Sequence, residues 1–168
     1  MLDKNSSFQG KSFCKIEITL ITIQNPVRSE MQNQKVSLYL ESLPDEMGVL
    51  GIQLREILFD LVPGIEERFS FNLPFYHYFG MFCYLNPTDG GIFLNFCRGK
   101  DLLLVFPELQ AGSRKMVAGI LLTQPAQLQS IEVRSLILGA AEWQQQAWKE
   151  KRAFVAGKSV ISKAKKRK

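Results

Sequence analysis

Between Glu66 and Lys100 the chain reads EERFSFNLPFYHYFGMFCYLNPTDGGIFLNFCRGK, and no other stretch limits the possible folds as tightly. It holds ten of the eighteen aromatic residues, so much of any core must be assembled from it. Phe69 and Phe71 alternate with polar Ser70 and Asn72, a period of two that sends successive side chains to opposite faces of a strand. Aromatic density continues through Tyr76, Tyr78 and Phe79. The runs MFCYL and IFLNF then flank Asn86-Pro87-Thr88-Asp89-Gly90-Gly91, which predicts a hairpin because Asp-Gly supplies the positive φ angles of a tight turn.

The period is different on either side. VSLYLESL reads as a first helix, and Pro44 opens a longer one at a position where its missing N–H costs nothing. Along that longer helix Met47, Leu50, Leu54, Ile57, Leu58 and Leu61 fall within a ~100° arc, as a core-facing helix requires. Pro63-Gly64 stops it. Beyond the aromatic stretch come a loop around Pro107 to Gly112 and the apolar strand VAGILLT. A final helix is expected after Pro125, carrying Leu128, Ile131, Leu136, Ile137, Ala140 and Ala141 and ending near Lys149. Helices, several strands and a closing helix, without internal repeats, predict an α+β fold: an antiparallel sheet with helices packed on one face.

Charge divides the chain into three parts. Residues 1–35 carry five basic and three acidic side chains, residues 36–150 eight and thirteen, and residues 151–168 eight and none. The net charge of +5 therefore hides an acidic body of −5 and a basic end of +8. Phosphate contacts need clustered Lys and Arg, so nucleic acid is expected to meet this chain only through residues 151–168, which read as a disordered tail. Residues 1–35 read as an N-terminal extension. Ile16, Ile18, Ile21 and Ile23 suggest either a loose segment from an upstream start, with Met31 the alternative first residue, or an extra edge strand. No run approaches the roughly 18 apolar residues that span a bilayer. KIEITLITIQ interleaves polar residues where a secretory leader needs an apolar core, so the expected compartment is the cytosol.

Candidate chemistry is sparse. His77 is the only histidine and has no second His or Cys at metal-binding spacing. Cys14, Cys83 and Cys97 are too few and too scattered for a disulfide framework, and Cys83 and Cys97 on facing strands read as buried thiols in a reducing compartment. Phosphate-cradling glycine loops and nucleophile elbows are absent, so no pattern nominates an enzyme. Carboxylates offer more. Asp45, Glu56 and Asp60 project from one side of the long helix, away from its apolar arc, and Glu66 and Glu67 follow just past its end. Glu56 and Asp60, spaced i and i+4, can share one cation, whereas Asp45 lies about 16 Å away at 1.5 Å per residue. Converging hard carboxylates suit iron, manganese, magnesium or calcium. Val49 and Ile52 interrupt the same side, as on an ordinary solvated face. The aromatic residues read as core filling, with a pocket near Tyr76, His77 and Tyr84 as the other use of the same side chains.

From Val36 to about Trp148 the chain resembles the YdhG-like domain family. The resemblance is carried by Leu61-Val62-Pro63, Glu67, Phe71-Asn72-Leu73-Pro74-Phe75, Cys83-Tyr84-Leu85-Asn86-Pro87, Phe96-Cys97-Arg98-Gly99 and the Ser113-Arg114-Lys115 run before VAGILL. Two positions depart from the family pattern: its Tyr is Phe71 here, which removes a hydroxyl, and its Gly is Asn72, which still tolerates a left-handed backbone. The resemblance implies a compact, frataxin-like α+β sandwich, and some members are described as intracellular iron chaperones. It thereby implies a non-enzymatic protein that holds iron, or passes it to an iron-acceptor protein, through Asp45, Glu56, Asp60, Glu66 and Glu67. Two other functions are open: an interaction module with an acidic body and a basic tail, and a small-ligand binder or enzyme built on the aromatic interior.

Overall fold

The structure is a computed structural model and describes residues 32–152. The expected N-terminal segment up to residue 31 and the basic run from residue 153 lie outside the described residues.

Helix α1 spans Gln34–Glu41, and its Asn33 cap accepts a hydrogen bond from the Lys35 amide at 3.0 Å. Helix α2 spans Asp45–Leu61, with Pro44 at the N-cap and the carboxylates of Asp45 and Glu46 in the first turn, where the helix dipole favours negative charge. Its apolar arc behaves as expected: Leu50, Leu54, Ile57 and Leu58 are buried, and Met47 and Leu61 pack on them from the margins. Val62 ends the helix, and Gly64 follows at φ 81°.

Five antiparallel strands follow in sequence order: β1 Glu66–Ser70, β2 Leu73–His77, β3 Met81–Thr88, β4 Gly91–Phe96 and β5 Ala118–Leu122. With helix α3 at Ile131–Lys149, the described residues form a five-stranded antiparallel sheet with three helices, the α+β class. Helix α1 packs against β1, and α2 packs against α1, α3 and β4. Register across the sheet lines up Glu67, Tyr76, Cys83, Phe96 and Ala118 in one row, all buried. The adjacent row is Arg68, Phe75, Tyr84, Asn95 and Gly119, and strand alternation puts it on the other face.

Three details differ from expectation. The β3–β4 hairpin forms with Thr88 opposite Gly91, but the positive φ falls on Gly91 (139°) and not on Asp89 or Gly90. A Cβ on Gly91 would stand 2.2 Å from the Leu122 carbonyl oxygen, so the backbone of β5 demands glycine there. The two-residue turn with both φ values positive joins β1 to β2 at Phe71 (54°) and Asn72 (60°), which leaves Phe71 82% exposed at the tip instead of inward beside Phe69. Finally, Pro125–Gln129 forms a 3-10 turn, and α3 begins only at Ile131 behind the Ser130 cap. Leu128 is buried as expected, but Ile131 is exposed in the first turn, and Val133 supplies the core contact.

Candidate functional site

The five expected carboxylates do not converge. Asp45 is exposed at the start of α2, Asp60 is exposed near its end, and Glu56 is half-buried with Oε1 accepting from the Gln32 side chain at 3.1 Å. Glu66 and Glu67 are neighbours on β1, so they face opposite ways: Glu66 is exposed and pairs with Arg68 at 2.8 Å, while Glu67 is buried. Among the described residues no three His, Cys, Asp or Glu side chains are gathered where one ion could join them.

Glu67 has a different partner. Arg55, on the buried side of α2, grips it through Nε (2.8 Å) and Nη2 (2.6 Å), with side chains 6% and 0% exposed. The Asn33 amide donates to the same carboxylate at 2.8 Å, and Arg55 Nη1 donates to Ser37 Oγ at 3.0 Å. This forked pair ties α1, α2 and β1 together, a structural use of the carboxylate that competes with metal binding. Tyr76 lies beside it, and its hydroxyl has no hydrogen-bond partner among the described residues. Burial raises this phenol well above its usual range, and the Glu67 charge adds to the effect.

Tyr76 and Tyr84, two of the three residues named for the alternative pocket, lie on opposite faces of the sheet. Tyr76 packs edge-on to Phe59 in the core, whereas Tyr84 stacks on Phe75 at 4.7 Å on the other face of the sheet. There Arg114 donates to the Tyr84 hydroxyl at 2.6 Å and to Asn95 Oδ1 at 3.0 Å. His77 is half-buried at the end of β2, and desolvation with the nearby Arg68 charge lowers its pKa. Cys83 and Cys97 are buried free thiols; burial raises Cys83 strongly and Cys97 to about 11, the opposite of an activated nucleophile.

A cleft lies elsewhere, at the C-terminal end of α3. It encloses about 270 Å³ and is lined by Phe79, Arg98, Gln144, Ala147, Trp148, Lys151 and Arg152. Local chemistry explains its shape. After α3 the Lys151 amide donates to the Trp148 carbonyl (3.0 Å) and the Arg152 amide to the Ala147 carbonyl (2.9 Å), the paired bonds of a Schellman cap. That cap turns the backbone back across the helix end and sets two cations on the cleft wall. Gln144 Nε2 reaches the Phe79 carbonyl (3.2 Å) and the Met81 carbonyl (3.4 Å), fastening α3 to the β2–β3 turn. Phe79 in that turn packs on the indole of Trp148 at 5.0 Å, and Trp148 remains 58% exposed.

Arg98 forms the base of the cleft. Its side chain is only 12% exposed, with Nη2 donating to the Arg152 carbonyl (2.9 Å) and Nη1 4.0 Å from Asp101. Arg152 pairs with Glu150 and lies 4.7 Å above the Trp143 ring. Two residues of this lining hold left-handed backbone without being glycine, Phe79 at φ 50° and Lys151 at φ 51°. Each such residue costs about 1–2 kcal/mol, and strain of this kind gathers at functional positions.

Sequence reading missed this cleft because its walls come from both sides of the assumed boundary at residue 150, and from a turn some seventy positions earlier. The available signal was Trp148 standing next to Lys149, Lys151 and Arg152 at a helix end. Among the described residues no helix is long and apolar enough to cross a membrane. Comparison with family models, with curated proteins and with solved structures gives no match to this chain.

Proposed function

We propose that this chain is a small binding protein that takes an anionic partner at the cleft closing α3. One observation carries the reading: Arg98, Lys151 and Arg152 meet exposed aromatic surface in a single concavity, at the point where the acidic body passes into the basic run. Cations in a partly enclosed site attract anions more strongly than the same cations spread over a surface. This develops the interaction-module reading and moves part of the recognition from the basic end onto the folded domain.

Titrating the full chain with inorganic polyphosphate, followed by tryptophan fluorescence over a salt series, tests it. Binding that weakens steeply with salt and drops in Lys151→Gln supports the cleft. Binding that Lys151→Gln leaves unchanged removes the cleft from the reaction, and absence of binding removes the reading.

The iron handling implied by the YdhG-like resemblance falls first to Glu56 and Asp60, one turn apart on α2, because Glu67 is engaged by Arg55, Glu66 pairs with Arg68 and Asp45 stands apart. Anaerobic titration with ferrous iron, beside Glu56→Gln/Asp60→Asn, tests that second reading. Micromolar binding lost in the double variant supports it, and no binding ends it.

A further inference from the structure

Resting on the anion-binding reading above, we infer that the partner is single-stranded nucleic acid, with a base stacked on Trp148 and the flanking phosphates held by Lys151, Arg152 and Arg98.

The exposed indole is the first reason. The core contacts of α3 are made by Val133, Leu136, Ile137, Ala140, Ala141 and Ala147, so folding of this helix does not need Trp148. Phe79 supports the indole from one side and leaves a large part of it open to solvent. An acidic peptide would use the cations and gain little from that ring, whereas every base has a π face to lay on it.

The second reason is the interleaving of charge with rings. Within three residues of Trp148 come Lys149, Lys151 and the start of the basic run, with Arg98 beneath and Arg152 over Trp143. A nucleotide presents the same two elements, a flat ring and an anion one sugar away. Taken alone, the basic end has charge with a single aromatic residue, Phe154. Folding supplies the missing rings from α3 and the β2–β3 turn.

The third reason is size and strain. About 270 Å³ lies at the small end of ligand clefts, which usually span about 300–1,000 Å³, and accommodates one nucleotide unit of a longer strand. Phe79 and Lys151, the two strained residues of the lining, hold the aromatic wall and the cationic wall at these positions.

The test uses the full chain and fluorescence anisotropy with four probes: a short oligothymidylate, an abasic strand of the same length, inorganic polyphosphate and polyglutamate. Oligothymidylate is expected to bind about 5- to 140-fold more tightly than the abasic strand, the range that corresponds to stacking one base. Trp148→Ala should bring the two strands to the same affinity, and Trp148→Phe should restore most of the difference. Equal affinity for thymidylate and abasic strands in the unsubstituted chain overturns this inference and leaves the anion-binding reading standing. So does polyglutamate binding as tightly as thymidylate. A base preference that survives Trp148→Ala overturns the placement on that ring. Failure of all four probes to bind overturns the inference and the anion-binding reading together. Trp148 is outside the core, so circular dichroism of Trp148→Ala should match the parent, and a changed spectrum transfers the decision to Trp148→Phe and the abasic comparison.

Discussion

Replacing Arg55 by methionine should unfold this domain far more readily than its position on a helix surface pattern would suggest. The Glu67 carboxylate accepts three hydrogen bonds, two of them from Arg55 at 2.8 and 2.6 Å and one from the Asn33 amide at 2.8 Å. Bonds to a charged group contribute about 1.5–3 kcal/mol each, so losing two removes about 3–6 kcal/mol. Leaving a buried charge without its partner costs about 3–5 kcal/mol by an independent route, and the two figures agree. A small domain has about 5–15 kcal/mol of stability in total, so the variant stands at the edge of folding. In urea, a loss of about 4 kcal/mol at a slope of about 2 kcal/mol per molar moves the midpoint down by about 2 M. The companion variant Arg55→Met/Glu67→Leu removes both charges and should recover most of the loss. It should remain about 1 kcal/mol below the parent, because the Asn33 amide loses its acceptor. A midpoint shift under about 0.3 M in Arg55→Met, or a double variant as unstable as the sum of its parts, would refute the reasoning.

Further outcomes are expected at four positions. Lys151→Gly relieves a left-handed backbone at the α3 cap and should raise stability by about 1 kcal/mol in urea unfolding while weakening polyphosphate binding, which separates the strain from the charge. Gly99→Ala would place a Cβ 2.4 Å from the Ala118 carbonyl oxygen, so thermal unfolding should show a loss of about 2–3 kcal/mol or more; an unchanged melting temperature would contradict the close approach of Gly99 to β5. Cys97, raised from 9.0 to about 11, holds about a hundredfold less thiolate near neutral pH than an unperturbed thiol. In a Cys14→Ser chain a thiol reagent should therefore modify neither Cys83 nor Cys97 until denaturant is added. The same shift means that the unfolded chain loses this proton first. Stability associated with Cys97 is complete below about pH 9 and is lost as pH rises towards about 11, and Cys97→Ala should flatten that slope. His77 should titrate below the usual histidine range in a proton NMR experiment, because desolvation and Arg68 disfavour its charged form; Arg68→Gln should move it back up.

The helices and strands were legible because their side chains follow the periods that burial imposes. The arc from Met47 to Leu61 and the runs on either side of Asp89-Gly90 appear in the structure as read. What periodicity could not fix was phase at the turns. Phe71 follows Phe69 at strand spacing, but a turn starting one residue after Ser70 sends it into solvent, and no alternation pattern marks where a strand stops. Glu67 was legible as a carboxylate but not as the partner of Arg55, since the two are brought together by the packing of α2 on the sheet. The cleft was illegible for the same reason: Phe79 and Trp148 are distant in sequence, and the docking of α3, fastened to the β2–β3 turn by Gln144, makes them neighbours.

The order of the sheet also sets a timetable. Each strand pairs with the one made just before it, and short turns join all of them except β4 and β5. Pairings that are local in sequence close small loops, which favours rapid folding and allows β1 to β4 to zip together while the chain is still being synthesised. Helix α3 is the exception. It is made after all five strands, yet it must dock on α2 and capture the β2–β3 turn through Gln144. Phe79 therefore waits in position until Trp148 and the Lys151 cap arrive, and the cleft cannot form on a chain that stops short of them. A nascent or truncated molecule would carry the sheet without the site.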